Sequence, residues 1–252
     1  MRSGVCAVFA VLLAWAAPAR ADHLDQSSYE ERLVLFYHVP EERLAALLPA
    51  GWAPMDLPGG PGKGANLTVN LSDQLTAAGA DGKPAADARA QGITISARVR
   101  DPKTGDNRSM VLLGYTNGSD APGPYGTHHQ ANIAMTRRAH TMPSGNVAID
   151  ELWEVSTLDG DRLYVELGYI RGPASAAHTE QQTRSSLHPD FYRIYKMDQL
   201  SDPVRSAALN VDRTSRVEVT TGGRLAKLVT PSDTLVAIVS VPTYHREIWL
   251  PD

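Results

Sequence analysis

Cysteine is almost absent: the chain carries one in 252 residues, and it lies at position 6. If the N-terminal segment is removed, no thiol remains for a disulfide, a thiolate nucleophile or a Cys-based metal site, and stability rests on ordinary burial. Long apolar runs are also missing. The longest, Val5 to Ala17, falls short of the ~20 residues that a membrane helix needs. Basic residues are not in excess, with 24 Lys and Arg against 28 Asp and Glu, and they are scattered rather than clustered. That balance argues against nucleic acid or an anionic membrane as partner. Neither a G-x-S-x-G elbow nor a phosphate-binding glycine loop is present.

The N-terminal segment has its own pattern. Arg2 precedes the apolar run, and Ala19-Arg20-Ala21 is a small-x-small peptidase site, so residues 1–21 read as a cleaved secretory signal. The rival reading, a lipoprotein anchor on Cys6, lacks a small-residue box before the cysteine. The expected mature chain begins at Asp22 and works in the periplasm or outside the cell. Losing Arg2 and Arg20 takes its net charge from −4 to −6. Sequons at Asn66, Asn70, Asn107 and Asn117 matter only in a eukaryotic secretory pathway, and the Ala- and Arg-rich leader reads as bacterial.

Beyond the leader the dominant period is two. Leu67, Val69 and Leu71 alternate with polar residues, as do Ile93, Ile95, Ala97 and Val99, and later Leu163, Val165, Leu167 and Tyr169. These are strands with one dry face. Turn signals separate them at Asp81-Gly82, Thr104-Gly105, Asn117-Gly118, Asp159-Gly160 and Gly222-Gly223. The spacing predicts ten or so antiparallel strands. One helix is expected, from Pro40 to Leu48, with acids in its first turn and Pro49 and Gly51 as its stop. Leu187 to Lys196 fits either period. The Pro54–Gly64 and Thr76–Ala90 stretches read as loops within one domain, residues 22–252. The fold class predicted is mainly β with minor α, closed into a barrel because so many strands otherwise leave bare edges.

Tyr37-His38-Val39-Pro40-Glu41-Glu42-Arg43-Leu44-Ala45-Ala46-Leu47-Leu48-Pro49 resembles the N-terminal signature of the acetoacetate decarboxylase family. Glu151-Leu152-Trp153, His188-Pro189-Asp190-Phe191-Tyr192 and Leu228 to Val241 follow in the family's order. The resemblance implies a cone-shaped antiparallel β-barrel around a small-molecule pocket. In the family, Glu-Leu-Trp leads into two adjacent lysines, one of which forms a Schiff base with the substrate. Here the run continues Glu154-Val155-Ser156-Thr157-Leu158, without lysine. The family's carboxylate-binding arginine corresponds to His38.

Several residues are candidates for chemistry. Glu151 shares a strand face with Ile149, Trp153 and Val155, where desolvation favours general acid–base work, or it is a wet carboxylate at a rim. His38 ends an apolar strand and either handles a polar ligand group or bonds the helix start. His128, Gln130, Asn132, Thr136 and Arg138 form a polar stripe that faces either a lumen or solvent, with Arg138 suited to a carboxylate. Trp153 completes that substrate wall. Lys196, among Phe191, Tyr192 and Tyr195, is a relocated amine or a snorkelling side chain. The eight histidines show no HExxH or His-x-His spacing, and His128 and His129 point to opposite faces, so no metal site is expected.

These readings lead to an exported barrel that takes a small carbonyl or carboxylate compound, as a divergent lyase or acid–base enzyme in which Glu151 and His38 act on a substrate held by Arg138, His128, Asn132, Trp153 and Lys196. The alternative is a non-catalytic carrier or sensor. No organic cofactor is implied. The expected partner is a small-molecule ligand, with no nucleic acid and no membrane span, and assembly with further copies stays open.

Overall fold

A computed structural model describes residues 22–251. The expected leader, residues 1–21, lies outside the described residues. The chain runs β1 (His23–His38), α1 (Glu41–Ala45), β2 (Ala53–Pro54), β3 (Leu67–Gly79), β4 (Ala90–Arg100), β5 (Asn107–Thr116), β6 (His128–Gln130) and β7 (Asn132–Thr141). It continues through β8 (Val147–Ser156), β9 (Arg162–Ile170), β10 (Ser175–Ser185), β11 (Tyr192–Ser206), β12 (Val211–Asp212), β13 (Thr214–Gly222), α2 (Leu225–Leu228) and β14 (Thr234–Leu250). Leu187 to Lys196 resolves into a loop followed by the start of β11. The N-terminal helix keeps five residues and ends in tighter turns, where Leu47 N–H bonds Leu44 C=O at 3.0 Å. The short helix α2 has no counterpart in the sequence expectation, because four residues cannot display a helical period.

The strands form two sheets, of ten and four strands. In the larger, pairing runs β1 to β3, β4, β5, β10, β11, β14 and back to β1, so seven strands make a closed ring. Two features depart from a plain antiparallel meander. β7, β8, β9 and β13 leave the ring and form the second sheet. The chain then returns as β10 running parallel to β5, so the ring closes through a parallel pair at Ser109–Val111 and Thr183–Ser185. Parallel neighbours need a long crossover, and three strands of the second sheet, β7, β8 and β9, lie within it, with β13 added after β12.

The principal core lies between the two sheets, outside the ring. Leu33 and Leu35 of β1, Leu67 and Leu71 of β3 and Ile93 and Ile95 of β4 are almost fully buried against Ile149, Trp153, Val165 and Leu167 of the second sheet. Each such side chain contributes roughly 1.5–3 kcal/mol on burial. A smaller cluster, Val34, Phe36, Val239 and Val241, fills one end of the ring from inside. The loop before β3 closes that end: Gly62 lies against the Phe36 ring, where an added Cβ would come within 2.5 Å.

Glu151 and Trp153 belong to the inter-sheet layer. Glu151, 2% exposed, accepts hydrogen bonds from Arg137 Nε at 3.0 Å and Nη2 at 2.9 Å, and from Trp153 Nε1 at 2.7 Å. Arg137 also pairs with Glu31 of β1, tying the sheets together. Desolvation lowers the Arg137 pKa, but Glu151 outweighs it and the guanidinium is held more firmly charged than usual. Replacing Glu151 with Leu leaves that cation with Glu31 alone and Trp153 Nε1 without its acceptor, and is expected to cost about 3–5 kcal/mol in urea unfolding. Adding Arg137→Met should recover most of the loss; if the single substitution costs under about 1 kcal/mol, the pair does not join the sheets as described.

Candidate functional site

The inner faces of the ring strands enclose a cavity of about 420 Å³. Its wall follows from strand parity. On β1, Leu33 and Leu35 face the second sheet, so Glu30 and Arg32 face inward. On β14 the register slips between Val241 and Tyr244, which pair with Arg32 and Glu30 of β1. That bulge at Pro242 and Thr243 turns Tyr244 and Arg246 into the cavity, where strict alternation from Val241 would have placed Thr243 and His245.

Glu30, 2% exposed, accepts from Ser28 Oγ at 2.8 Å and from Arg32 Nε at 2.8 Å, and pairs with Arg246 Nη2 at 2.8 Å. Burial alone would raise its pKa; Arg246 and then Arg32 overcome that and hold the carboxyl at about 2. Arg246 is likewise kept charged, its desolvation outweighed by Glu30. The Arg32 guanidinium lies 3.6 Å from the Tyr244 ring centroid. The cluster carries a net charge of +1, one carboxylate between two guanidinium groups. Beside it the Tyr125 and Tyr195 hydroxyls meet at 2.6 Å, and desolvation followed by Tyr195 pushes the Tyr125 phenol far above its usual range. Arg193 reaches the same wall, salt-bridged to Asp25 at 2.8 Å, with its buried Nε unpartnered.

His128 forms another part of the wall. β6 pairs in parallel with β5, and the imidazole lies on Gly114, where a Cβ would come within 2.3 Å of the ring. Burial first, then His129, lowers the His128 pKa despite Asp120, so the ring is neutral near pH 7; its Nδ1 has no hydrogen-bond partner. His129 points the other way and contacts Arg224, which donates to Asp161 at 2.6 Å, and Asp161 also accepts from Tyr115 Oη at 2.9 Å. This chain of contacts fastens β6 to β5 and to the β8–β9 turn.

Of the residues singled out by sequence, the structure brings His128 alone to the cavity. His38 sits at the closed end of the ring beyond Val34 and Phe36, with Nδ1 2.9 Å from the Gly64 carbonyl and 3.3 Å from Asp56. Glu151 and Trp153 occupy the inter-sheet layer. Arg138, with Asp150 and Arg216, borders a shallow hollow on the second sheet, and Asn132 is exposed there. The expected polar stripe is divided, because the chain changes sheets at Ala131. Lys196 lies outside the ring, 3.9 Å from the Trp249 ring centroid, since its neighbours Tyr195 and Met197 take the inward positions. Glu30, Arg32, Tyr195 and Arg246 line the cavity although none stands out as a site candidate in the sequence. Their available signal was spacing: Ser28-x-Glu30-x-Arg32 puts three polar groups on one strand face. No cluster of His, Cys, Asp or Glu able to hold a metal ion occurs among the described residues, and no helix among them is long and apolar enough to cross a membrane.

The chain, mainly β with two short helices, has the acetoacetate-decarboxylase-like fold. The chain is similar to the structure of an acetoacetate decarboxylase-like enzyme from Sphingomonas wittichii RW1, with a TM-score of 0.56 and 14% identity over 92% of this chain and 94% of that one. It is also similar to the enduracididine biosynthesis enzyme MppR complexed with pyruvate, with a TM-score of 0.55 and 12% identity over 92% and 90% of the two chains. No protein-family model and no curated protein matches the sequence.

The Glu30 carboxyl titrates at about 2 in the folded chain against an ordinary 4.5, so its contribution is complete above 4.5 and is lost as pH falls from there toward 2. The difference corresponds to on the order of 3 kcal/mol. Unfolding measured from pH 7 to pH 2 should show this slope in the native protein and lose it in Glu30→Gln, which is also expected to be less stable at pH 7. Parallel acid limbs in the two proteins would refute the assignment.

Proposed function

We propose that this is an exported acetoacetate-decarboxylase-like protein whose cavity receives a small organic carbonyl or carboxylate compound and turns it over by acid–base chemistry without a Schiff base. One observation carries the reading: a net-positive Glu30–Arg32–Arg246 cluster and the largely buried, neutral imidazole of His128 line the same half-open cavity. Arg246 gives Nε to Ser28 and Nη2 to Glu30, and its Nη1 forms no hydrogen bond among the described residues, so it is placed to donate to a carboxylate. Tyr195 adds a hydroxyl donor. Glu30 is too acidic and too fully bonded to serve as a base at neutral pH; its work is to hold the two arginines. His128, neutral and with its pKa lowered, is the group suited to take a proton from carbon or oxygen and return it. No lysine lines the cavity, which leaves an enamine route without its amine. The pyruvate in the MppR complex is a ligand of the same chemical class in a protein of the same fold.

A carrier or sensor is the second reading, favoured by the saturation of Glu30, which removes the second titratable partner that most acid–base sites use. His128→Asn separates the two. For an enzyme, turnover over a panel of keto acids and aldehydes should fall at least 100-fold with affinity retained; for a carrier, the unmodified protein turns over no panel member. Arg246→Met should weaken carboxylate binding by 10-fold or more in either case, and unchanged affinity would remove the cluster from the site.

The leader supports export. Expressed from Met1 in a bacterial host, the protein should be recovered from the periplasm with Asp22 as its first residue by N-terminal sequencing. Recovery from the cytosol with residues 1–21 attached would overturn the assignment.

A further inference from the structure

The inner face of the ring changes character along its length. At the closed end it is aliphatic, with Val34, Phe36, Val239 and Val241. At the level of the cavity, β3 to β5 present Asn70, Ser72, Thr94, Ser96 and Ser109. These side chains form a continuous floor, because Asn70 pairs in register with Thr94 and Ser72 lies opposite Arg32 on the neighbouring β1. Ser72 Oγ donates to the Gly92 carbonyl at 3.1 Å. The side chains of Asn70, Thr94, Ser96 and Ser109 make no hydrogen bond among the described residues, and Asn70 Oδ1 is buried without a partner. An unmet buried acceptor costs about 1–3 kcal/mol, and valine suits a strand at least as well as threonine or serine. Val111, in register with Ser96, shows that this wall admits such a residue.

We infer that the ligand of this cavity is a polyhydroxylated carboxylate, of the sugar-acid type, rather than a plain keto acid. The inference rests on the carboxylate reading above and extends it to the rest of the ligand. A plain three-carbon keto acid offers acceptors only and is too short to engage the Asn70, Thr94, Ser96 and Ser109 side chains together with the arginines. Hydroxyl groups both donate and accept, as the Thr94, Ser96 and Ser109 side chains do. Ammonium donors fit poorly, because the neighbouring arginine cluster has a net positive charge. The geometry agrees: a carboxylate on Arg32 and Arg246 lies one strand from Ser72, about 5 Å, and one inward-facing position further, about 7 Å along the strand, from Asn70 and Thr94. A cavity of about 420 Å³ lies in the range that encloses ligands well beyond a three-carbon acid.

Calorimetric titration of the mature protein with gluconate, galacturonate, pyruvate and sorbitol tests this. The expected result is that at least one hydroxylated acid binds 30-fold or more tightly than pyruvate. Asn70→Leu and Thr94→Val should each weaken that acid at least tenfold more than they weaken pyruvate. Asn70→Leu should leave urea stability unchanged or raised, since it deletes an unpaired acceptor; a structural asparagine would lower it. Pyruvate binding as tightly as both hydroxylated acids, or equal losses for both ligand types in the variants, overturns the inference and leaves the carboxylate reading standing. Sorbitol binding as tightly as the acids, or failure of all four compounds to bind, overturns the carboxylate reading and this inference with it.

Discussion

Successive side chains of a strand point to opposite faces, and a closed ring turns that rule into a division between inside and outside. Along β1, β3 and β4 the outward half of each strand is leucine, isoleucine and valine, and it is covered by the second sheet. The inward half then has only the lumen to face. Polar alternates such as Asn70, Ser72, Thr94 and Ser96, which an open sheet would leave in bulk water, are instead held at fixed spacing around an enclosed volume. Parity changes only where a bulge inserts a residue. The bulge at Pro242 and Thr243 does this in β14, and without it Thr243 and His245 would take the inward positions that Tyr244 and Arg246 hold beside Glu30.

The charge cluster depends on that parity. A buried carboxylate with one guanidinium partner is close to neutral in its effect on its surroundings; with two it leaves a surplus positive charge in a poorly solvated wall. Glu30 draws Arg32 and Arg246 together from adjacent strands, and both guanidinium groups lie against tyrosine rings, Arg32 on Tyr244 and Arg246 near Tyr195. Stacking and pairing restrict their rotamers, so the cluster is preorganised and an anion entering the cavity would meet donors already in place. The same arrangement depresses the Glu30 pKa, and it is this that makes the carboxylate a structural counter-ion.

Sequence periodicity carried the mainly β fold class and the two-residue period of the long strands, proline and acids at Pro40-Glu41-Glu42 marked the helix start, and separate motifs, Tyr37 to Pro49 and Glu151-Leu152-Trp153 among them, carried the family resemblance. It carried the site less well, for identifiable reasons. Glu151 and Trp153 share an apolar face, as their alternation implied, but two apolar faces exist in this fold, and theirs closes on the inter-sheet core. His38 has the inward parity of Glu30 and Arg32, yet six residues along a strand is about 20 Å, enough to carry it past the aliphatic end of the ring. The His128–Arg138 stripe reads as one strand in the sequence, whereas a break at Ala131 divides it between sheets, and nothing in the local sequence marks that break. Arg246 was hidden by the bulge. Only His128 combined the right face with the right strand.

The lumen therefore has two chemically different regions fixed by separate elements. The arginine cluster comes from β1 and β14, the terminal strands of the chain, which pair with each other along almost their whole length. His128 comes from a three-residue strand held through His129, Arg224 and Asp161 to the crossover that builds the second sheet. An ammonium group in the His128 position would meet the same burial that already lowers the imidazole pKa, which disfavours its charge. A neutral imidazole avoids that penalty. The two regions therefore differ in charge because they differ in partners: Glu30 sits between two guanidinium groups on β1 and β14, and burial keeps the β6 imidazole neutral.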